Sequence, residues 1–167
     1  MPFQVLKNLN LFIDGRGYAG MVEEVNLPKL TVKTEDFRAG GMDAPLALDM
    51  GMEKLEMDFS LVGFDRNILS LFGFVVPGTV SVTFRGALEN GDGSITAMVC
   101  RARGQIREID PGTSKAGDKP SMKVVMDLVY YYMEHDGQPV VEVDVINLIR
   151  MVGGVDKLAG IRSAIGL

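Results

Sequence analysis

The sequence predicts a mainly β protein carrying two short helices. Three observations lead there. Apolar and polar residues alternate strictly in several separate segments, the period of a half-buried strand. Glycine-rich turn signals, Asp14-Gly15, Asn90-Gly91-Asp92-Gly93 and Asp136-Gly137, fall between those segments. The composition, 47% hydrophobic and 23% charged, is that of a chain able to bury a core rather than a disordered one.

The first turn signal, Asp14-Gly15-Arg16-Gly17, lies between Leu11-Phe12-Ile13 and Tyr18-Ala19-Gly20-Met21, which reads as a hairpin. Residues 34–52 then fit no regular element, because Gly40, Gly41, Pro45 and Gly51 interrupt any helix or strand. Connections of that length are uncommon without a function. This one carries Met42, Leu46, Leu48, Met50 and Met52, apolar surface that a solvated loop does not need. From Leu55 to Leu61, Leu, Met, Phe and Leu share one face of a strand and Glu56, Asp58 and Ser60 the other. Asp65 is placed to cap a helix presenting Ile68, Leu69 and Phe72 and stopping at Gly73.

Val80 to Arg85 alternates again, and Asn90-Gly91-Asp92-Gly93 turns the chain into a strand over residues 98–109. There Cys100, Ala102 and Ile106 face one way, and Arg101, Arg103, Gln105 and Arg107 the other. Residues 110–121 form a second irregular segment. Met122 to Met133 is apolar on both faces after Lys123 and Asp127, as in a strand covered on two sides. Beyond Asp136-Gly137, Val141, Val143 and Val145 alternate with Glu142 and Asp144. Asp156 is placed to cap a C-terminal helix presenting Leu158, Ile161 and Ile165, with Gly160 weakening it.

With 167 residues and neither an internal repeat nor a linker, one domain over residues 1–167 is expected. No apolar run approaches the roughly 18–20 residues that span a bilayer, so no membrane anchor is expected. The opening Met-Pro-Phe-Gln-Val-Leu-Lys-Asn lacks a charged segment followed by a long apolar one, which argues against a secretory signal and for synthesis in the cytoplasm. Cys100 is the only cysteine, so no internal disulfide can form. A net charge of −5 and a pI of about 4.9 suit a chain that could surround DNA without gripping its phosphates.

Catalytic chemistry finds little support. Gly15-Arg16-Gly17-Tyr18-Ala19-Gly20 is a literal G-x-G-x-x-G. Pro28 cuts short any following helix, so the context is a hairpin turn and not a dinucleotide site. His135 is the only histidine and lies beside a turn; one His builds no multi-His metal site. Cys100 reads as a core residue. The pairs Glu56/Asp58 and Glu142/Asp144 read as solvent-facing strand residues. Hence no catalytic, cofactor or metal residue is expected. Arg101, Arg103 and Arg107 stand out as a row of like charge on one strand face. It is either a solvated face or an electrostatic contact with a neighbouring subunit's carboxylates.

One set of motifs resembles a known family. Leu27-Pro28-Lys29-Leu30, Thr34-Glu35, Arg38-Ala39-Gly40-Gly41-Met42-Asp43-Ala44-Pro45 and Asp49-Met50-Gly51 come first in order. Phe72-Gly73, Phe84-Arg85-Gly86, Glu108-Ile109-Asp110-Pro111-Gly112, Lys115-Ala116-Gly117, Tyr130-Tyr131, Asp136-Gly137, Glu142-Val143-Asp144 and Gly154-Val155-Asp156-Lys157-Leu158-Ala159-Gly160 follow. Together they resemble the major tail-tube proteins of P2-like myophages and R-type pyocins, over almost the whole chain. Ala-Gly-Gly-Met-Asp-Ala-Pro is the most specific block, and residues 74–79 depart from the family pattern.

The resemblance implies an Hcp-like fold, a small β-sandwich or barrel with a flanking short helix and a C-terminal helix. It implies six subunits in a ring, rings stacked into a hollow tube, and a tube driven through a target envelope. The implied partners are sheath, tape-measure and baseplate or tube-initiator proteins, with DNA only as passing cargo in a phage. The implied location is a virion tail or a secreted tail-like particle assembled in the bacterial cytoplasm.

On that reading residues 34–52 form a projecting loop that docks on the adjacent ring through Phe37, Arg38, Gly40, Gly41, Met42, Asp43, Pro45, Leu46, Leu48, Met50 and Met52. The arginine row then holds neighbouring subunits. The alternatives are a type VI Hcp-like tube protein and a monomeric β-barrel for a small ligand.

Overall fold

A computed structural model describes residues 3–73 and 80–167; the divergent stretch 74–79 lies outside the described residues. In chain order the elements are β1 (Gln4–Ile13), β2 (Arg16–Gly17), β3 (Val22–Asn26), β4 (Val32–Phe37), β5 (Leu46–Met52), β6 (Glu56–Val62) and α1 (Arg66–Leu69). They continue with β7 (Val80–Asn90), β8 (Ile95–Asp110), β9 (Ser121–His135), β10 (Gln138–Asp144), β11 (Ile149–Val152), β12 (Val155–Asp156) and α2 (Ala159–Ile165). The fold is mainly β with two short helices, as the alternation implies.

Ten strands form one sheet, in the order β12-β11-β10-β9-β8-β7-β1-β2, with β6 paired to β9 and β3 paired to β6. All the strand pairs in it are antiparallel, and three of the hairpins are the ones the turn residues announce. At Asp14-Gly15 and Asp136-Gly137 both turn residues have positive φ (52° and 83°, 53° and 76°), the geometry whose twist matches the flanking strands. The literal G-x-G-x-x-G is thus a hairpin turn.

The long strands β8 and β9 bend, and two bulges mark where. Arg103 pairs with Tyr130 while Gly104 pairs with Leu128, so Val129 is the extra residue. Ile106 pairs with Met126 while Glu108 pairs with Val125, so Arg107 is the extra residue. Along one edge, β9 holds β10 with its second half and β6 with its first half. At the bend β8 and β9 touch closely. A methyl group on Gly104 would sit 2.0 Å from the Asp127 carbonyl oxygen, so only glycine fits.

The bend lets both arms of the sheet contribute to one apolar cluster. Leu11, Ile13, Val82, Phe84, Cys100 and Tyr131 join Phe59, Leu61, Met122, Val124, Met126 and Ile68 there. Each fully buried Leu, Ile or Phe contributes roughly 1.5–3 kcal/mol. Among the described residues the hydrogen-bonded ladder does not close on itself; its ends are β12, the β1–β2 edge and, on the branch through β6, β3.

Several expectations need correction. Residues 34–52 are not irregular: β4 and β5 pair as a separate two-stranded sheet. Gly40 and Gly41 lie between the strands, and Gly51 (φ 97°) sits at a bulge, so the glycines serve the hairpin instead of breaking it. Gln105 is buried, not exposed beside the arginines. Ser60 and Asp144 are buried too.

The Asp144 carboxylate accepts from the Ile146 and Asn147 backbone N–H groups and the Asn147 side chain, closing the β10–β11 turn. Asp65 does cap α1, accepting from the Asn67 and Ile68 N–H groups, but of the three expected apolar residues only Ile68 is buried. Asp156 is not the cap of α2. That position is Leu158, with no side-chain bond; Asp156 accepts from the Leu158 N–H and pairs with Arg162. Ile161 and Ile165 of α2 are exposed.

Candidate functional site: a projecting hairpin and a polar sheet face

Paired as strands only with each other, β4 and β5 leave the body of the sheet as a two-stranded arm. Across the arm Phe37 opposes Leu46, Glu35 opposes Leu48, Asp36 opposes Ala47 and Thr34 opposes Asp49. Strand alternation therefore puts Phe37, Leu46, Glu35, Leu48 and Met50 on one face, apolar but for Glu35, and Asp36, Ala47, Thr34 and Asp49 on the other. All four apolar residues are open to solvent, at 49, 54, 39 and 52% exposure.

The opposite face turns to the body. Arg150 on β11 donates through Nη2 to Asp49 Oδ2 at 2.8 Å. The Gly51 N–H also donates to Asp49 Oδ1 at 2.8 Å, and these two contacts, the backbone one foremost, hold the Asp49 carboxyl below its ordinary range. Hence the arm's apolar face points away from the body.

At the tip, Arg38 Nε donates to the Met42 carbonyl at 3.1 Å and Gly41 has φ 86°. Ala39, Gly40, Gly41, Asp43 and Pro45 are exposed and Met42 is half-buried. At the base Met52 returns to the main core. Between the base and the body runs an apolar groove of about 370 Å³, walled by Met52, Leu55, Leu128, Val143, Leu148 and Ile149.

The three arginines do not form one row. Arg107, the extra residue of its bulge, is turned to Asp127 (3.1 Å) and Glu56 (3.5 Å), a cluster Lys54 completes at 2.7 Å from Glu56. Arg101 and Arg103 remain on the sheet face opposite the core. Arg101 lies over the Tyr132 ring at 5.4 Å and Arg103 over the Tyr130 ring at 4.5 Å, each from the residue directly across β9. Each of the three arginines thus has a partner in its own chain. The tyrosine stacking had a signal in the sequence, Tyr130-Tyr131-Tyr132 in a strand, but the cross-strand register was needed to see it.

Cys100 is buried, with Tyr131 Oη donating to its Sγ at 3.6 Å, and burial pushes the thiol up. His135 ends β9 at the Asp136-Gly137 turn. Among the described residues no three His, Cys, Asp or Glu side chains are grouped to hold a metal, and no helix is long and apolar enough to cross a membrane.

The fold is similar to a chain of the PVC sheath–tube complex of an extracellular contractile injection system in its extended state. The TM-score is 0.57 at 10% identity, covering 75% of this chain and 87% of that one. It is similar also to a chain of the sheath/tube terminator of the same system, with a TM-score of 0.60 at 8% identity, covering 77% and 94%. At such identities the likeness is one of fold.

Sequence carries the assignment further. The chain belongs to the family of phage tail tube protein FII, whose pattern it matches over residues 3–166. It is 37% identical over 166 residues to the tail tube protein of Escherichia phage P2, covering 97% of this chain and 96% of that one. It is 33% identical over 165 residues to the major tail tube protein of Serratia phage KSP20, covering 97% and 95%. It is a structural subunit of the tube of a phage tail or tail-like injection system.

Proposed function

We propose that residues 1–167 act as one tail-tube domain. Six copies close into a ring whose sheets continue into a barrel around a lumen, and rings stack head to tail into a tube. Sheath, tape-measure and baseplate or tube-initiator proteins are its partners, assembly takes place in the bacterial cytoplasm, and in a phage DNA passes through. The open ends of the ten-stranded sheet favour lateral continuation, because ring closure removes exposed strand edges. Repeated head-to-tail contacts close into rings or extend into filaments.

The observation that carries the stacking role is the β4–β5 arm. Its Asp49 side is tied to the body by Arg150, which leaves Phe37, Leu46, Leu48 and Met50 aimed outward and about half exposed. A buried side chain of that size contributes roughly 1.5–3 kcal/mol, so four on every subunit of a ring make a firm axial contact. Arg38, Gly40, Gly41, Met42, Asp43 and Pro45 shape the tip, and Met52 anchors the base.

Replacing residues 38–45 with a short Gly-Ser turn and Phe37 and Leu46 with Ser tests this. The variant is expected to keep its β-type circular dichroism and its rings but to form no tubes by negative-stain microscopy. Long tubes from the folded variant would refute the stacking role.

A further inference from the structure

One guanidinium of α2 grips β11 at two points. Arg162 donates through Nη1 to the Leu148 carbonyl at 2.7 Å and through Nη2 to Asp156 Oδ2. Leu148 immediately precedes β11, and Asp156 lies on β12 opposite Met151 of β11. Between those two points stands Arg150. Its guanidinium holds Asp49 of the arm, and its carbonyl accepts from the Lys157 N–H at 2.8 Å. Asp156 accepts also from the Leu158 N–H at 3.0 Å, which fixes the start of α2. The side chains of Arg150, Asp156 and Arg162 are largely shielded from solvent, where charge-assisted hydrogen bonds are strong. Arg162 foremost, and then the Leu158 N–H, hold the Asp156 carboxyl below its ordinary range.

Without that grip β11 is thinly supported. It pairs with β10 along four residues and with the short β12 along two, near one end of the sheet. It also starts from an unfavourable point. Leu148 has φ 54°, a left-handed conformation that is costly for a bulky side chain and persists where its surroundings impose it. Asp144 fixes the turn as far as Asn147, and the Arg162 bond holds the carbonyl of Leu148 itself. Two arrangements are therefore open to the start of β11. In one, Leu148 is clamped as it stands. In the other, it relaxes to negative φ and turns Ile149 and Arg150 off their present line.

We propose that Arg162 is a positioning residue for the projecting arm: by holding Leu148 in its left-handed conformation and β12 against β11, it aims Arg150 at Asp49. The C-terminal helix and the hairpin then act as one mechanical unit, joined through a single residue of β11. Coupling of this kind needs an element with two discrete arrangements that both sites bias, and Leu148 supplies it. The consequence for assembly rests on the stacking role proposed for the arm; the coupling itself does not.

Amide exchange in the unassembled protein tests it. Arg162→Ala is expected to speed exchange in residues 32–52 about ten-fold while β7 and β8 stay protected. In an Arg150→Ala background the same substitution is expected to add less than about two-fold, because the connection is already cut. Leu148→Asn, which introduces a residue that tolerates positive φ, is expected to restore most of the lost protection to Arg162→Ala.

A clamp that merely keeps α2 from fraying would leave the arm at its wild-type rate, and a general loss of stability would speed β7 and β8 as well. Either result overturns the proposal, as does a full additional effect on top of Arg150→Ala or a failure of Leu148→Asn to rescue. Tube growth separates this from the stacking role. A loosened arm in Arg162→Ala with tubes of normal length would refute stacking through the arm and leave the positioning role standing.

Discussion

Asp49 on β5 and Arg150 on β11, 101 residues apart in the chain, meet at 2.8 Å and join the projecting arm to the body of the sheet. Arg150 is largely buried while Asp49 is half exposed, so the body supplies a fixed cation to which the arm's carboxylate is tied. Arg150→Ala is expected to speed amide exchange in residues 32–52 about ten-fold while leaving the core strands protected, because the arm is the locally stable unit at stake. Unchanged exchange in the arm would show that Met52 and the backbone alone hold it.

The same pair sets a pH dependence. Because the Asp49 carboxyl is depressed below its ordinary value of 3.8, its contribution is fully present above that value and is lost as pH falls through the lowered one. Arm protection measured by exchange should therefore be flat across neutral pH and decline only in strong acid. Asp49→Asn should remove that acid dependence.

Gly104 is the residue the bend cannot exchange. Gly104→Ala forces a methyl against the Asp127 carbonyl and the Leu128 backbone, neither of which is the free end of a side chain. A cost of at least about 1–3 kcal/mol is expected, read as a lower urea midpoint with an unchanged slope. A midpoint equal to wild type would mean that β8 and β9 separate readily at their bulges.

Arg107 belongs to a surface cluster with Glu56, Asp127 and Lys54. Arg107→Ser is expected to lower stability by no more than about 1 kcal/mol, an effect that salt diminishes, and to leave ring assembly intact. Loss of rings at low salt would return this arginine to an inter-subunit role.

Cys100 should resist a thiol reagent in the native protein and react only at the rate of unfolding, because Tyr131 and the core cover it and burial disfavours the thiolate. Rapid native labelling would contradict the packing of β8 on β9.

Much of the fold was legible. The alternation from Leu55 to Phe59, from Val80 to Arg85 and from Cys100 to Arg103 is a local property that burial enforces, and Asp14-Gly15 and Asp136-Gly137 are turns that only a few residue types tolerate. The arm was misread for a local reason as well. Leu46, Leu48, Met50 and Met52 alternate with Ala47, Asp49 and Gly51, a strand signal, but the neighbouring glycines and proline outweighed it. The common face of Phe37, Leu46, Leu48 and Met50 was not legible, because its orientation depends on Arg150, and Met52, grouped with them, packs on the core.

Bulges hid the rest. A single extra residue at Val129 or Arg107 reverses which side chains share a face, and nothing in a one-dimensional pattern marks it. That is why Arg107 was grouped with Arg101 and Arg103. Asp156 was misassigned by two positions because a carboxylate near a helix start has several backbone N–H groups within reach.

The pairing of distant segments has a kinetic consequence. Val5 of β1 must find Glu89, and Glu56 of β6 must find Asp127, before either buries its share of the core. Such non-local closure puts folding on a scale of about milliseconds to seconds, in contrast to the microseconds open to a helical bundle. Throughout that interval the arm's Phe37 and Leu46 hairpin can form from its own short loop, ready to associate before the subunit beneath it is complete. Exposed apolar surface on half-folded chains is the hazard that slow, non-local folding brings to any subunit made in many copies at once.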